Sequence, residues 1–238
     1  MLLGFDHLIF LVEDLADGAA RFERLGFSIS ERHDAEASPT ENRLVCFADG
    51  SYIEIVRFRD PAQLARHRFA PLAETGGWAD YVVRTEGLQG LCEAVAAAGL
   101  ATSPPRTVTK PLIDGERWSV ILCHLGRGVG GAFMPMLAED LTDHHLRVPD
   151  ERIAHANGAR RIVGVRLAAE DTALAGAQLA SVFGAPPRVV DGLDRFDFAG
   201  RWVEVTPTAT DQSRAASEGI LSVAIEREDG SVMTLDRP

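Results

Sequence analysis

Two residues stand out for the chemistry they could do. His7 lies in the apolar run His7-Leu8-Ile9-Phe10-Leu11-Val12, and Glu54 lies in Tyr52-Ile53-Glu54-Ile55-Val56. Both runs read as strands that are apolar on two faces, as expected where a helix covers one side and a cavity lies on the other. A carboxylate buried alone on such a strand costs several kcal/mol. Glu54 therefore has three outcomes open to it: an ion pair, a metal ion, or a proton retained by a pKa raised through burial. A single histidine on an apolar strand is ordinarily a hydrogen-bonded core residue. Beside Glu54 it becomes a candidate ligand, because imidazole and carboxylate are N and O donors suited to Zn, Fe, Mn or Ni. A tight site needs a third protein ligand, for which Asp80 is the first candidate and His124, on the strand Trp118 to Leu125, the second. With a cation polarising adjacent oxygens of a small substrate, Glu54 is the carboxylate able to move a proton. Asn42 and Arg43 could face the same cavity and bind a polar or anionic ligand. Phe133 suits a pocket wall or the core.

These residues are positioned by a repeated unit. His7 to Leu15 reads HLIFLVEDL and Asp80 to Leu88 reads DYVVRTEGL, each a strand running into a helix start. Each helix then ends at a glycine, and His7 to Gly26 and Asp80 to Gly99 span the same 19 positions. GVRLAAEDTAL, from Gly164, begins a third copy whose helix ends at Gly184, with either Gly164 or Val165 as the counterpart of His7. The glycines suit the left-handed position at which a chain leaves a helix. In the first helix Leu15, Ala19, Phe22 and Leu25 share one face, and Asp14 is a natural N-cap. Shorter strands follow at Phe27 to Ser30, Arg43 to Phe47 and Ser51 to Phe58, the last two joined by the hairpin signal Ala48-Asp49-Gly50. The closing strand also recurs, as GSYIEIV, GAFMPML and GRWVEVT. Gly219 to Arg227 and Ser231 to Leu235 make a fourth, incomplete copy. The expected architecture is α+β: βαβββ modules forming half-open mixed barrels with helices packed outside. The expected domains are 1–140 with two modules, a linker at 141–158, and 159–238 with the third module and the partial fourth.

Composition narrows the partners. The chain has 238 residues, 46% of them hydrophobic, and a formal net charge of −11 without any basic run. That excludes a phosphate-neutralising surface, so neither nucleic acid nor an anionic membrane is an expected partner. The N-terminus lacks a basic region and no segment reaches about 18 uncharged residues, so a cytoplasmic protein is expected. Cys46, Cys92 and Cys123 read as buried thiols. The glycine-rich Gly126 to Gly131 is not followed by Lys-Ser/Thr and reads as a hairpin rather than a phosphate loop. His144, His145 and His155 read as solvated loop residues.

The segments FDHLIFLVEDL, FADGSYIEIV and HANGARRIVGV together resemble the glyoxalase-like branch of the vicinal oxygen chelate superfamily. The resemblance implies paired βαβββ modules around a small-molecule cavity, often with a divalent metal held by the first and last strands of each module. It implies activities that include isomerases, lyases and dioxygenases, along with metal-free binding proteins, and subunits that often pair as homodimers. His7 and Glu54 match the ligand positions of the first module. Asp80 matches His7 in the second, where Pro135 falls at the place of Glu54, and Glu204 matches it in the third. Loss of a ligand at Pro135 keeps open the alternative of a metal-free binding or sequestration protein using the same cavity.

Overall fold

The computed structural model describes residues 1–32, 34–35, 38–126, 133–208 and 218–238. The glycine-rich loop at 127–131 lies outside them. The first half runs β1 (Leu2–Leu11), α1 (Leu15–Arg24), β2 (Thr40–Cys46), β3 (Tyr52–Phe58), α2 (Pro61–Leu64), β4 (Gly77–Thr85), α3 (Leu88–Ala97), β5 (Arg106–Pro111), β6 (Arg117–His124) and β7 (Met136–Asp140). The second runs β8 (Ala159–Ala169), α4 (Thr172–Phe183), β9 (Arg188–Val190), β10 (Leu193–Phe198), β11 (Arg201–Pro207), β12 (Gly219–Arg227) and β13 (Val232–Asp236). The α+β expectation holds. Two mixed sheets form, in the orders β2-β3-β1-β4-β7-β6-β5 and β13-β12-β8-β11-β10-β9, and the first curls into a half-barrel.

Local chemistry sets the boundaries as the sequence suggested. Asp14 caps α1, its carboxylate accepting from the Ala16 and Asp17 amides at 2.8 and 3.0 Å. Gly26, Gly99 and Gly184 all take positive φ at the helix exits. Gly50 does the same in the β2–β3 hairpin, where no β-branched residue could turn the chain so tightly. Phe27 to Ser30 departs from expectation. Only Ser30 bridges Leu44, because Phe27 packs on Phe22, Phe47 and the His155 ring and the Ser28 amide is taken by His155.

The register decides which residues are equivalent. On β1, His7 pairs with Tyr52 and Ile9 with Glu54 of the parallel neighbour β3. On β8, Gly164 pairs with Trp202 and Arg166 with Glu204 of β11. Gly164, not Val165, is thus the counterpart of His7. In the second module Val82, two residues past Asp80, pairs with Met136. The place of Glu54 is therefore held by Met136, one residue beyond Pro135. β12 lies antiparallel to β8 with Ser222 opposite Arg166, as β4 lies on β1 with Asp80 opposite Ile9, so the fourth copy consists of a first strand and a return strand without a helix.

One apolar core runs behind both sheets. It contains Leu8, Phe10, Ile53 and Ile55 of the first sheet and Val165, Leu167, Val203 and Ile225 of the second, with Phe22, Val95 and Leu179 from the helices. Phe5 meets Phe198 edge to face, with centroids 5.2 Å apart, and joins the halves. The opposite face of the first sheet carries smaller clusters, Ile9-Leu11-Val56-Phe69, Val82-Trp118-Val120-Met136 and Leu44-Cys46-Tyr52-Val148. The chemistry-bearing residues lie among these. No described helix is long and apolar enough to cross a membrane.

Candidate functional site

His7 and Glu54 come together on the inner face of the first sheet. His7 Nε2 and Glu54 Oε2 are 3.8 Å apart. This is too far for a hydrogen bond and close enough for one small group to touch both. His7 is buried and stacks on Tyr52 with ring centroids 4.6 Å apart. Its Nδ1 lies 2.6 Å from Asp6 Oδ1. A carboxylate only accepts, so Nδ1 carries the proton toward Asp6, and Nε2 is the ring nitrogen turned to Glu54. Strand alternation alone would send Asp6 to the opposite face. It does not, because the pairing with β4 steps from Phe5–Val83 to His7–Val82. The extra residue is a β-bulge that turns Asp6 toward His7.

Asp6 is fully buried and is answered by Arg147, whose Nη1 and Nη2 donate to its two oxygens at 3.0 and 2.8 Å. Burial by itself would raise the Asp6 carboxyl, but Arg147 and the His7 hydrogen bond together hold it well below the usual carboxylate range. Arg147 also donates to Asp140 and to the Tyr52 hydroxyl. His144 spans Asp140 Oδ2 at 2.7 Å and the Gly50 carbonyl at 2.8 Å. Residues 141–158, expected as a linker, therefore place a buried cation inside the first half. His144 and His155 are not solvated loop residues either, since His155 is buried between the Ser28 amide and the Cys46 carbonyl.

Glu54 is held from its other oxygen. Asn42 Nδ2 donates to Oε1 at 2.7 Å, and Arg32 Nη1 approaches it at 3.4 Å. Asn42 shares the inner face of β2 with Leu44, opposite Val56 in register, which turns its side chain toward Glu54. Arg43, one residue on, leaves the inner face, pairs with Glu31 at the sheet edge and lines, with Asn42, a cavity beside β2. Arg32, like Asp6 and Arg147, is a residue that the sequence pattern missed. It sits between α1 and β2, in a stretch without regular structure, and its guanidinium carbon lies 5.6 Å from the Trp118 ring and 5.9 Å from that of Tyr52. Burial would lower Arg32, but Tyr52, Glu54 and Asp34 around it raise it above its ordinary value.

Asp80 is on the same inner face but is engaged elsewhere. It is ion-paired with Arg68, and its Oδ1 accepts from the Tyr81 amide at 2.9 Å. His124 also faces inward, in line with Trp118 and Val120 on β6. Burial first, and Arg68 second, push its imidazole below the usual value. Phe133 is in the core behind the sheet, where its carbonyl accepts from the Tyr81 hydroxyl at 2.8 Å, and so forms no cavity wall.

Among the described residues one set of three ligand types gathers within 4.8 Å, and it is Asp6, Asp140 and His144 rather than His7, Glu54 and Asp80. A metal ion could be held by such a group. Here the Arg147 guanidinium already supplies the positive charge between the two carboxylates. At the His7 site the donor types suit a divalent cation, but Arg32 stands at Glu54, Arg68 at Asp80, and Met136 brings no charge. As arranged, those residues do not fit a divalent ion, because each carboxylate already has its counter-charge. In the second half the corresponding place is closed. The Trp202 indole lies over Gly164, and Glu204 is bound by Arg166 and Arg195 at 2.8–3.1 Å.

The sequence profile of the family described as glyoxalase-like domain matches residues 5–183. None of the curated proteins matches the chain in sequence. Among solved structures, a Staphylococcus aureus protein described as hypothetical aligns over 98% of this chain and 98% of its own, with TM-score 0.74 and 11% identity. A fusion of a xylose isomerase-like TIM barrel with 4-hydroxyphenylpyruvate dioxygenase aligns over 95% of this chain and 36% of its own, with TM-score 0.60 and 17% identity. At such identities the likeness is one of fold.

Proposed function

Because the chain belongs to the glyoxalase-like domain family, we propose that it is a small-molecule enzyme of isomerase or lyase type, in which Glu54 and His7 move protons on a substrate with adjacent oxygens. The observation that carries the reading is the pair of facing acceptors, His7 Nε2 and Glu54 Oε2, 3.8 Å apart on the inner face. Moving a proton between neighbouring atoms of an α-hydroxy carbonyl compound needs two acceptors about one atom's width apart. Glu54 takes the C–H proton of the hydroxyl-bearing carbon as that electron pair moves toward the carbonyl oxygen, and His7 takes the hydroxyl proton and hands it to that oxygen. Glu54 then returns its proton to the former carbonyl carbon, so that hydroxyl and carbonyl change places with no proton left over. Asn42 fixes the Glu54 carboxylate so that Oε2 rather than Oε1 faces the substrate. Asp6 fixes the imidazole in the tautomer that can accept. No step is routed through a metal.

The same paired charges favour a second reading, a metal-free binding protein that holds such a molecule without turning it over. One experiment separates the two. Hydroxy-ketones and 2-oxo acids are incubated with the protein in deuterated water and followed by proton NMR, alongside elemental analysis of protein purified without affinity nickel. The enzyme reading expects loss of the C–H signal beside the carbonyl in at least one compound, with the rate falling by about 10²–10⁴ in Glu54→Gln and also in His7→Ala. Compounds that bind, as saturation-transfer NMR would show, without exchanging any proton establish the binding reading instead. Stoichiometric metal that is lost in His7→Ala would overturn the metal-free assignment.

A further inference from the structure

A cavity of about 710 Å³ opens beside the edge strand β2, and Arg32 and Asn42, the two residues that hold Glu54, are part of its lining. His7 and Glu54 are not themselves part of that lining, and Arg32 and Asn42 are the contacts that connect it to the pair. In a chain of net charge −11, this lining is basic, with five Arg or Lys residues against three acidic ones. Its charges are also incompletely paired. Arg57 and Arg59 share the single carboxylate of Glu41, at 3.0 and 2.7 Å. Lys110 has Asp34 at 3.6 Å, while Asp34 also accepts from the Trp118 indole at 2.7 Å.

At the inner end stands Arg32. Its side chain is 9% exposed, yet its hydrogen bonds are poor. Nη1 and Nη2 reach Glu54 and the Tyr52 hydroxyl only at 3.4 Å, at the outer limit of useful contact. Its Nε, among the described residues, has no acceptor. A guanidinium offers five N–H donors in a fixed plane matching two parallel bonds to a carboxylate. Here the plane is set by the Trp118 and Tyr52 rings, while the donors are mostly unspent.

We infer that the molecule bound here is an organic acid, its carboxylate seated on Arg32 and its carbonyl carbon directed toward Glu54 and His7. The assignment names the substrate class of the site proposed above and rests on that reading for the reactive end only. The nearby Glu54 carboxylate argues for a singly charged group over a phosphate, since a second negative charge so close raises the repulsion in proportion.

The test is calorimetric titration at low salt of the wild-type protein with 2-oxo and 2-hydroxy acids of short chain, with their primary amides, and with inorganic phosphate. The acids are expected to bind at least about tenfold more tightly than the amides, because a carboxylate offers the Arg32 fork two charged acceptor oxygens where a neutral amide offers one uncharged oxygen. Arg32→Gln, checked for folding by circular dichroism, should erase the difference. Glu54→Gln should keep or strengthen acid binding while abolishing proton exchange, so that binding and chemistry fail separately. If Arg32→Gln does not fold, the wild-type preference and its weakening in Lys110→Ala at the rim carry the decision. Equal affinity for acids and amides, a folded Arg32→Gln that keeps the preference, or phosphate bound more tightly than any acid would each overturn the inference. Proton exchange on neutral hydroxy-ketones without any preference for acids would sink it and leave the enzyme reading standing.

Discussion

Asp6 has no solvent contact, and every atom of its carboxylate is committed to Arg147 or His7. Replacing Arg147 by Met strands that charge in the interior, and the expected cost is about 3–5 kcal/mol in urea unfolding at pH 7. Asp6→Asn combined with Arg147→Met should recover much of it, since the uncompensated charge is then gone. The pH dependence has a definite sign. A carboxyl depressed in the folded state stabilises at pH values above its unfolded pKa, near 3.8, and that contribution is lost as pH falls through the folded value. Without Arg147, burial raises the Asp6 carboxyl, so melts from pH 7 to pH 2 should show the gap between wild type and Arg147→Met beginning to close above about pH 4, as the stranded acid takes up a proton, and closing further as pH falls toward the depressed wild-type value. A gap unchanged between pH 7 and pH 3 would place the loss on another group. At this scale the sequence spoke unevenly. His7 and Glu54 were legible because each sits mid-strand, where alternation gives a side chain its direction. Asp6, Arg32 and Arg147 were not, since a bulge cancels alternation at the first and the other two come from irregular segments, where spacing gives no direction.

At the level of strands and helices, the repeat was legible because each copy must place a glycine after its helix and an apolar strand beside its first strand. Register was the harder part, because a one-residue shift exchanges faces. Pro135 and Met136 differ by that one step, and only the hydrogen-bonded ladder tells them apart. The same ladder explains the third copy. With glycine at the His7 position, the Trp202 indole can lie directly on the backbone, and a Cβ added at Gly164 would come 2.1–2.4 Å from three atoms of that ring. Gly164→Ala must therefore displace the indole, and with it the Arg195 guanidinium 4.4 Å from the ring centroid. The expected loss is about 1–3 kcal/mol, typical of overpacking, read as a shift in the unfolding midpoint with ligand affinity at the first half unchanged. Adding a histidine there to rebuild a second site would fail for the same reason.

Over the whole molecule, a half-barrel and a second mixed sheet of common plan share one core, and among the described residues the first leaves its inner face open to chemistry while Trp202 covers the corresponding place in the second. We propose that the division at residue 140 read from the sequence is a boundary between sheets and not between independent folding units. Its test is a comparison of fragments 1–140 and 1–158, in which the shorter should be less soluble and melt earlier, because it retains Asp6 without Arg147. Equal stability would show that the first sheet satisfies Asp6 without that segment. The pairing of Asp6 with Arg147 joins residues 141 positions apart, and this sets an order of events during synthesis. The first strand leaves the ribosome carrying an acid whose counter-charge is not yet made. Until that arginine emerges, burying β1 between β3 and β4 would bury the acid alone, so the His7 site can first assemble with its full set of partners only after residue 147 has been made.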